Sequence, residues 1–192
     1  MKVLRIQLMP RKKNRVLVHL DGLQDLEDIE PLEIALDVAE RSGIHVGDSL
    51  TAKDLAQLQE DDTKWRTRQA ALHLLSYRPR AEQELRVRLR SKGFPHASVE
   101  WCLRHLEEQG LIDDHNFASA FVRSRIRLRP RGRFRLSQEL REKGVTAEVA
   151  EQAIDQAFNN EETSEQDLAR AAARGWLARQ GSTLTESLAG TD

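Results

Sequence analysis

The chain's 192 residues fit one large domain or two small ones, and 39% hydrophobic content is enough to bury a modest core. With 32% charged and only 5% aromatic residues, and with Arg, Glu, Leu, Ala and Gln dominant, the composition favours helices over strands. Cys102 stands alone, which excludes an intramolecular disulfide; residues 1–5 lack an apolar leader, and no run approaches the roughly 20 apolar residues of a membrane span. A soluble protein of a reducing, cytoplasmic compartment is expected. The net charge of −1 hides blocks, and local fields choose partners more than sums do. Residues 1–20 carry six basic residues and no acid, whereas 21–62 carry thirteen acids against Arg41 and Lys53. Residues 78–145 then hold sixteen basic against nine acidic residues.

In chain order, the alternation of Val3, Arg5 and Gln7 with Leu4, Ile6 and Leu8, followed after Pro10 by the apolar run 16–20 ending at Asp21-Gly22, predicts a β-hairpin. Pro31 suits a first helical turn, and Leu32, Ala35, Leu36 and Ala39 recur at helical spacing until Ser42-Gly43, which predicts a short helix. Thr51 and Asp54 resemble a capping box, and Leu55 and Leu58 carry an apolar stripe towards the polar residues 59–63, where a domain boundary is expected.

From Trp65 onward no strand pattern is present. The string Leu89-Arg90-Ser91-Lys92-Gly93-Phe94 returns 51 residues later as Leu140-Arg141-Glu142-Lys143-Gly144-Val145. The same offset pairs Arg80 with Arg131, Leu85 with Leu136, Leu103 with Ile154 and Ala71 with Val122. Two tandem copies of three helices follow, over 65–77, 80–92 and 96–109, then 114–128, 132–143 and 147–158. A third, incomplete copy starts near 164, on Leu168, Ala171, Ala172 and Leu177. The fold expected is mainly α, tandem three-helix repeats in an elongated arrangement behind a small N-terminal β-hairpin and helix segment. Its parts are 1–62, repeat one at 63–110, repeat two at 111–160, and a degenerate third repeat with tail at 161–192. Gly93 and Gly144, each after a basic helix end, read as left-handed C-terminal stops, with Phe94 and Val145 as their apolar clamps.

Arg123, Arg125, Arg127, Arg129, Arg131, Arg133 and Arg135 alternate around Pro130 and Gly132 and are the densest charge in the chain. Arg123 and Arg127 share a helix face, and Pro130 re-aims Arg131 and Arg135 from the next helix, making a basic corner. Guanidinium forks there suit phosphates or acidic protein surfaces, while neighbouring acids would make it a solvated face. Arg78, Arg80, Arg86 and Arg90 form a weaker equivalent.

Arg-Pro-Arg-Ala-Glu-Gln-Glu-Leu from Arg78, Leu-Glu-Glu-Gln-Gly-Leu-Ile-Asp-Asp-His-Asn-Phe-Ala from Leu106, and Gln-Glu-Leu-Arg-Glu-Lys-Gly-Val from Gln138 together closely resemble RecX-family proteins, most specifically over 65–158. The resemblance implies a regulator that binds RecA filaments, lying across neighbouring subunits, and lowers recombinase and ATPase activity. The family's recurring positions fall on Arg80, Glu84, Leu85, Asp113, Asp114, Phe117, Ala118, Arg123, Glu139, Leu140, Lys143 and Gly144. Of these, Leu85, Phe117, Leu140 and Gly144 are expected in the core or caps. Arg80, Arg123 and Lys143, with Arg131 beside them, are the expected contacts. Relatives usually complete the third repeat.

Cys102 and His105 have half the spacing of a metal clip and no second pair, so the core is the better reading. Asp113, Asp114 and His115 precede Phe117 as helix-capping residues would. Trp65, Trp101 and Trp176 read as packing anchors. Phosphate loops, zinc-protease helices and nucleophile elbows are missing, so the expectation is no enzyme and no cofactor, metal or small-molecule substrate. The expected partner is the RecA filament, with single- or double-stranded DNA as a further contact; the competing reading is a helical DNA binder acting through the basic corner alone.

Overall fold

The computed structural model describes residues 1–12, 14–21, 30–128, 131–160, 170 and 173–174. Strands β1 (Val3–Leu8) and β2 (Arg15–Leu20) pair antiparallel, with Val16 opposite Leu8 and Val18 opposite Ile6. Pleating sends Val16 and Val18 to one face, where both are fully buried. Asn14 closes the turn at φ 64, a left-handed conformation that asparagine tolerates.

The helix expected from Pro31 is a strand at its start. Leu32–Ala35 forms β3, which pairs with β2 (Val16 with Ile34, Val18 with Leu32) in a sheet of order β1-β2-β3. Helix α1 (Leu36–Ser42) begins only afterwards and ends at Gly43, φ 65. The stripe Leu32, Ala35, Leu36, Ala39 fits a helix, but it leaves out Ile34, and pairing with β2 buries Ile34 and Ala35 completely.

Helix α2 (Ala52–Tyr77) starts with the expected reciprocal cap: the Asp54 N–H donates to Thr51 Oγ1 at 3.2 Å and the Thr51 N–H to Asp54 Oδ2 at 2.8 Å. The Thr51 N–H and, after it, the Thr51 hydroxyl donating to Oδ2 at 2.7 Å hold the Asp54 carboxyl below its ordinary value. The helix then runs unbroken through residues 59–63. Asp62, inside that polar run, is 4% exposed. Its carboxylate receives Arg15 at 2.6 Å, the Ala35 N–H at 2.8 Å and Arg66 Nε at 3.0 Å. A charge can stay buried when it is paired and hydrogen-bonded in this way.

The chain forms two compact units, Met1–Tyr77 with Arg88–His105, and Arg78–Val87 with the described part of Leu106–Asp192. The first has a core of Val3, Val16, Val18, Ile34, Val38 and Leu58 between sheet and helices, with Trp65 packed against it. The second is built on Ala118, Val122, Ile126, Leu136, Leu140 and Ile154, with Ala81 among them.

The remaining helices are α3 (Glu82–Ser91), α4 (His96–Glu108), α5 (Asp114–Leu128), α6 (Arg133–Glu142) and α7 (Ala147–Asn160). The duplication shows in their bounds: α6 starts and ends 51 residues after α3 (82 and 133, 91 and 142). Three apolar pairs share burial, with Leu85, Leu136, Leu89, Leu140, Ala71 and Val122 all at 0% exposure. Both glycine stops are left-handed, Gly93 at φ 88 and Gly144 at φ 86. The Phe94 N–H reaches back to Leu89 O at 3.3 Å, and the Val145 N–H to Leu140 O at 3.1 Å. Gly110 at φ 66 makes a third stop of the same kind, with the Leu111 N–H on Leu106 O at 2.8 Å.

Among the described residues the chain is thus mainly helical, with seven helices behind a small three-stranded sheet. No helix among them is long and apolar enough to cross a membrane. Apart from Arg170, Ala173 and Arg174, the incomplete third copy lies outside the described residues, as does Trp176.

Candidate functional site

The second unit brings candidate residues together in two places. One is a groove on α5. Asp113 Oδ1 accepts the Asn116 N–H at 2.9 Å and so caps its own helix. Asp114 Oδ1 instead accepts the Glu82 N–H at 2.8 Å, capping α3 and tying its first turn to α5. Burial raises the Asp114 carboxyl above its ordinary value, Glu82 and Asp113 add to that, and the hydrogen bond opposes it.

This tie sets Arg78, Pro79 and Arg80 beside the α5 face formed by Phe117, Ala120, Phe121 and Ser124, around a cavity of about 710 Å³ that also reaches Lys143. Arg80 is 8% exposed and pairs with Glu84, which also receives Arg78 at 2.6 Å. Glu84 therefore fixes two guanidinium groups at the cavity wall. The Phe117 and Phe121 rings stack at 6.3 Å, with Lys143 Nζ 5.4 Å from the Phe121 centroid and the Arg125 guanidinium 4.8 Å from it. An apolar floor with cations at its rim suits an apolar group carried on an acidic or phosphorylated chain.

The other place is the basic corner. Helix α5 ends at Leu128 and α6 begins at Arg133, so the break falls where Pro130 requires one. Glu139, only 12% exposed, receives Arg125 at 2.9 Å, Arg135 at 3.3 Å and Arg131 at 3.8 Å. Arg133 turns away to pair with Asp155 and lies 4.8 Å over the Phe158 ring. Arg123 and Arg127 are exposed, and among the described residues neither has an ion pair. Arg129 and Pro130 lie outside the described residues. Over residues 123–143 nine basic residues face two acids, so a large surplus remains after Glu139 is counted.

The sequence therefore pointed to Arg78, Arg80 and Lys143, which share the groove, and to Arg123, Arg125, Arg127, Arg131, Arg133 and Arg135, which divide among three environments. It missed Phe121 as groove lining and Glu139 as the clasp. The α5 spacing of Phe117, Ala120, Phe121 and Ser124 was the available signal for one face.

Cys102 and His105, in the first unit, form no clip. The thiol is fully buried, and burial pushes it up to about 11. His105 Nδ1 lies 2.9 Å from Trp101 O with its ring against the indole. Among the described residues no three His, Cys, Asp or Glu side chains are grouped to hold a metal.

Family models described as "RecX, first three-helix domain" and "RecX, second three-helix domain" match residues 68–106 and 113–154. A "Regulatory protein RecX" of Amycolatopsis mediterranei is 36% identical over 126 residues, 66% of this chain and 70% of that protein. One of Halalkalibacterium halodurans is 32% identical over 180 residues, 93% of this chain. The chain spans 64% of that relative's length and 64% of a Prosthecochloris aestuarii relative's. A crystal structure of a regulatory protein RecX superposes with a TM-score of 0.73 at 26% identity, covering 94% of this chain and 84% of the other.

Proposed function

Because the chain belongs to the RecX family, we propose that it is a regulator which binds the RecA filament and lowers its ATPase and recombinase activity, acting by contact and not by catalysis. Family membership carries this reading, since the relatives are named as regulatory proteins. The groove supports it. A cavity with stacked phenyl rings on its floor and Arg78, Arg80 and Lys143 at its edge has the chemistry of a protein-docking surface. In this reading the two repeats are 63–110 and 111–160, flanked by 1–62 and by a degenerate third repeat, and the protein works in the cytoplasm without a cofactor.

The test is a titration of the full chain into RecA hydrolysing ATP on single-stranded DNA. Hydrolysis is expected to fall at near-stoichiometric ratios, and unchanged hydrolysis at saturation overturns the reading. A second reading, direct DNA binding through the basic corner, is favoured by the nine-to-two charge imbalance over residues 123–143. It requires affinity that drops steeply with salt, and a flat response rejects it.

A further inference from the structure

Helix α6 faces the core with Leu136 and Leu140, both at 0% exposure. Phe134, the second residue of that helix, is 80% exposed, the largest exposure among the chain's described large hydrophobic side chains. By helical spacing its face is shared with Ser137, Gln138 and Arg141, at three, four and seven residues on. Arg133 and Arg135 flank it in sequence, and Arg131 and Arg135 both reach Glu139. A phenyl ring in water contributes little to the fold, so packing does not explain it.

We propose that Phe134 is a stacking platform for an unpaired base, and that this corner binds single-stranded nucleic acid in preference to duplex. The inference rests on the reading of the corner as a nucleic-acid contact and adds a residue and a strand preference to it. Two observations carry it. The surrounding segment is strongly cationic, as a phosphate backbone requires. On α6 the exposed ring shares its face by spacing with Ser137, Gln138 and Arg141, whereas the anchor of a protein interface sits in apolar company. Every base offers a π-face to such a ring, but in a duplex those faces are already stacked on one another. Arg123 and Arg127 would hold phosphates on either strand form; only Phe134 distinguishes the two.

The experiment is fluorescence anisotropy at low salt with the full chain, a labelled dT oligomer of about 16 nucleotides and a duplex of the same length. Wild type is expected to bind the oligomer more tightly than the duplex. Phe134→Ala should weaken the oligomer at least about five-fold and leave the duplex unchanged, while Phe134→Trp restores the oligomer. The side chain is outside the core, so both variants should keep the wild-type helical circular dichroism. Oligomer binding unaffected by Phe134→Ala, or losses equal on oligomer and duplex, overturns the platform alone. Wild type that binds neither probe overturns the platform and the basic-corner reading together.

Discussion

At Gly144 two demands meet that are separate elsewhere. Its φ of 86 disfavours any side chain, and an added Cβ would lie 2.5 Å from Gln83 Cβ and 2.8 Å from its Cγ. Gly93 has the same backbone geometry, φ 88, but nothing within 4 Å of the added atom. Gly93→Ala should therefore cost only the left-handed penalty, about 1–2 kcal/mol. Gly144→Ala should cost about 1–3 kcal/mol more for overpacking. Urea melts of the two variants check this, and equal losses would show that the Gln83 contact is not limiting. Both glycines were legible in the sequence because their string is written twice. The crowding of Gly144 was not, since Gln83 is distant along the chain. Gly110 went unread as a stop because the duplicated string does not include it. Asp114 was read as a cap, but the helix it caps is α3 and not its own, a bond over a separation that no local pattern encodes.

Among the elements, β3 and α2 depend on one carboxylate. Asp62 receives the Ala35 N–H at the end of β3, Arg15 at the start of β2, and Arg66 one turn further along α2. Arg15 is 12% exposed, and Asp62→Ala would leave it with Glu33 at 3.0 Å as its carboxylate partner. Removing one member of a buried pair typically costs 3–5 kcal/mol, and the remaining Glu33 places the expected loss near the lower end, about 3 kcal/mol. Equilibrium denaturation measures it; a loss below about 1 kcal/mol would show that the cluster is a surface-grade pair. Two stretches show what local pattern leaves out. Residues 59–63 read as a polar run because four of them face solvent or are only partly covered, while Asp62 is buried by partners from two strands far back in the chain. Residues 32–35 look helical because spacing alone cannot register a neighbouring strand.

For the molecule as a whole, a net charge of −1 coexists with a segment holding nine basic residues against two acids. The seven arginines that the sequence presents as one alternating series are sorted by structure: Arg125, Arg131 and Arg135 on Glu139, Arg133 on Asp155, and Arg123 and Arg127 towards solvent. Reversing the last two, Arg123→Glu with Arg127→Glu, should weaken oligomer and duplex in parallel. It should also flatten the slope of log K against log salt by roughly 2 on a duplex, near 0.9 for each lost phosphate contact. Anisotropy over a salt series reads this directly, and an unchanged slope would remove these two residues from the interface. The tandem architecture was legible because it is duplicated, whereas the sorting of its charges depends on acids in α6 and α7 that no spacing rule assigns. The unbroken course of α2, 26 residues or about 39 Å of helix, has a practical result. A truncation that removes residues 1–62 would sever a hydrogen-bonded spiral, part Arg66 from Asp62, and strip Trp65 of the apolar layer beneath it. Proteases, which seek slack chain, should find no foothold between residues 52 and 77.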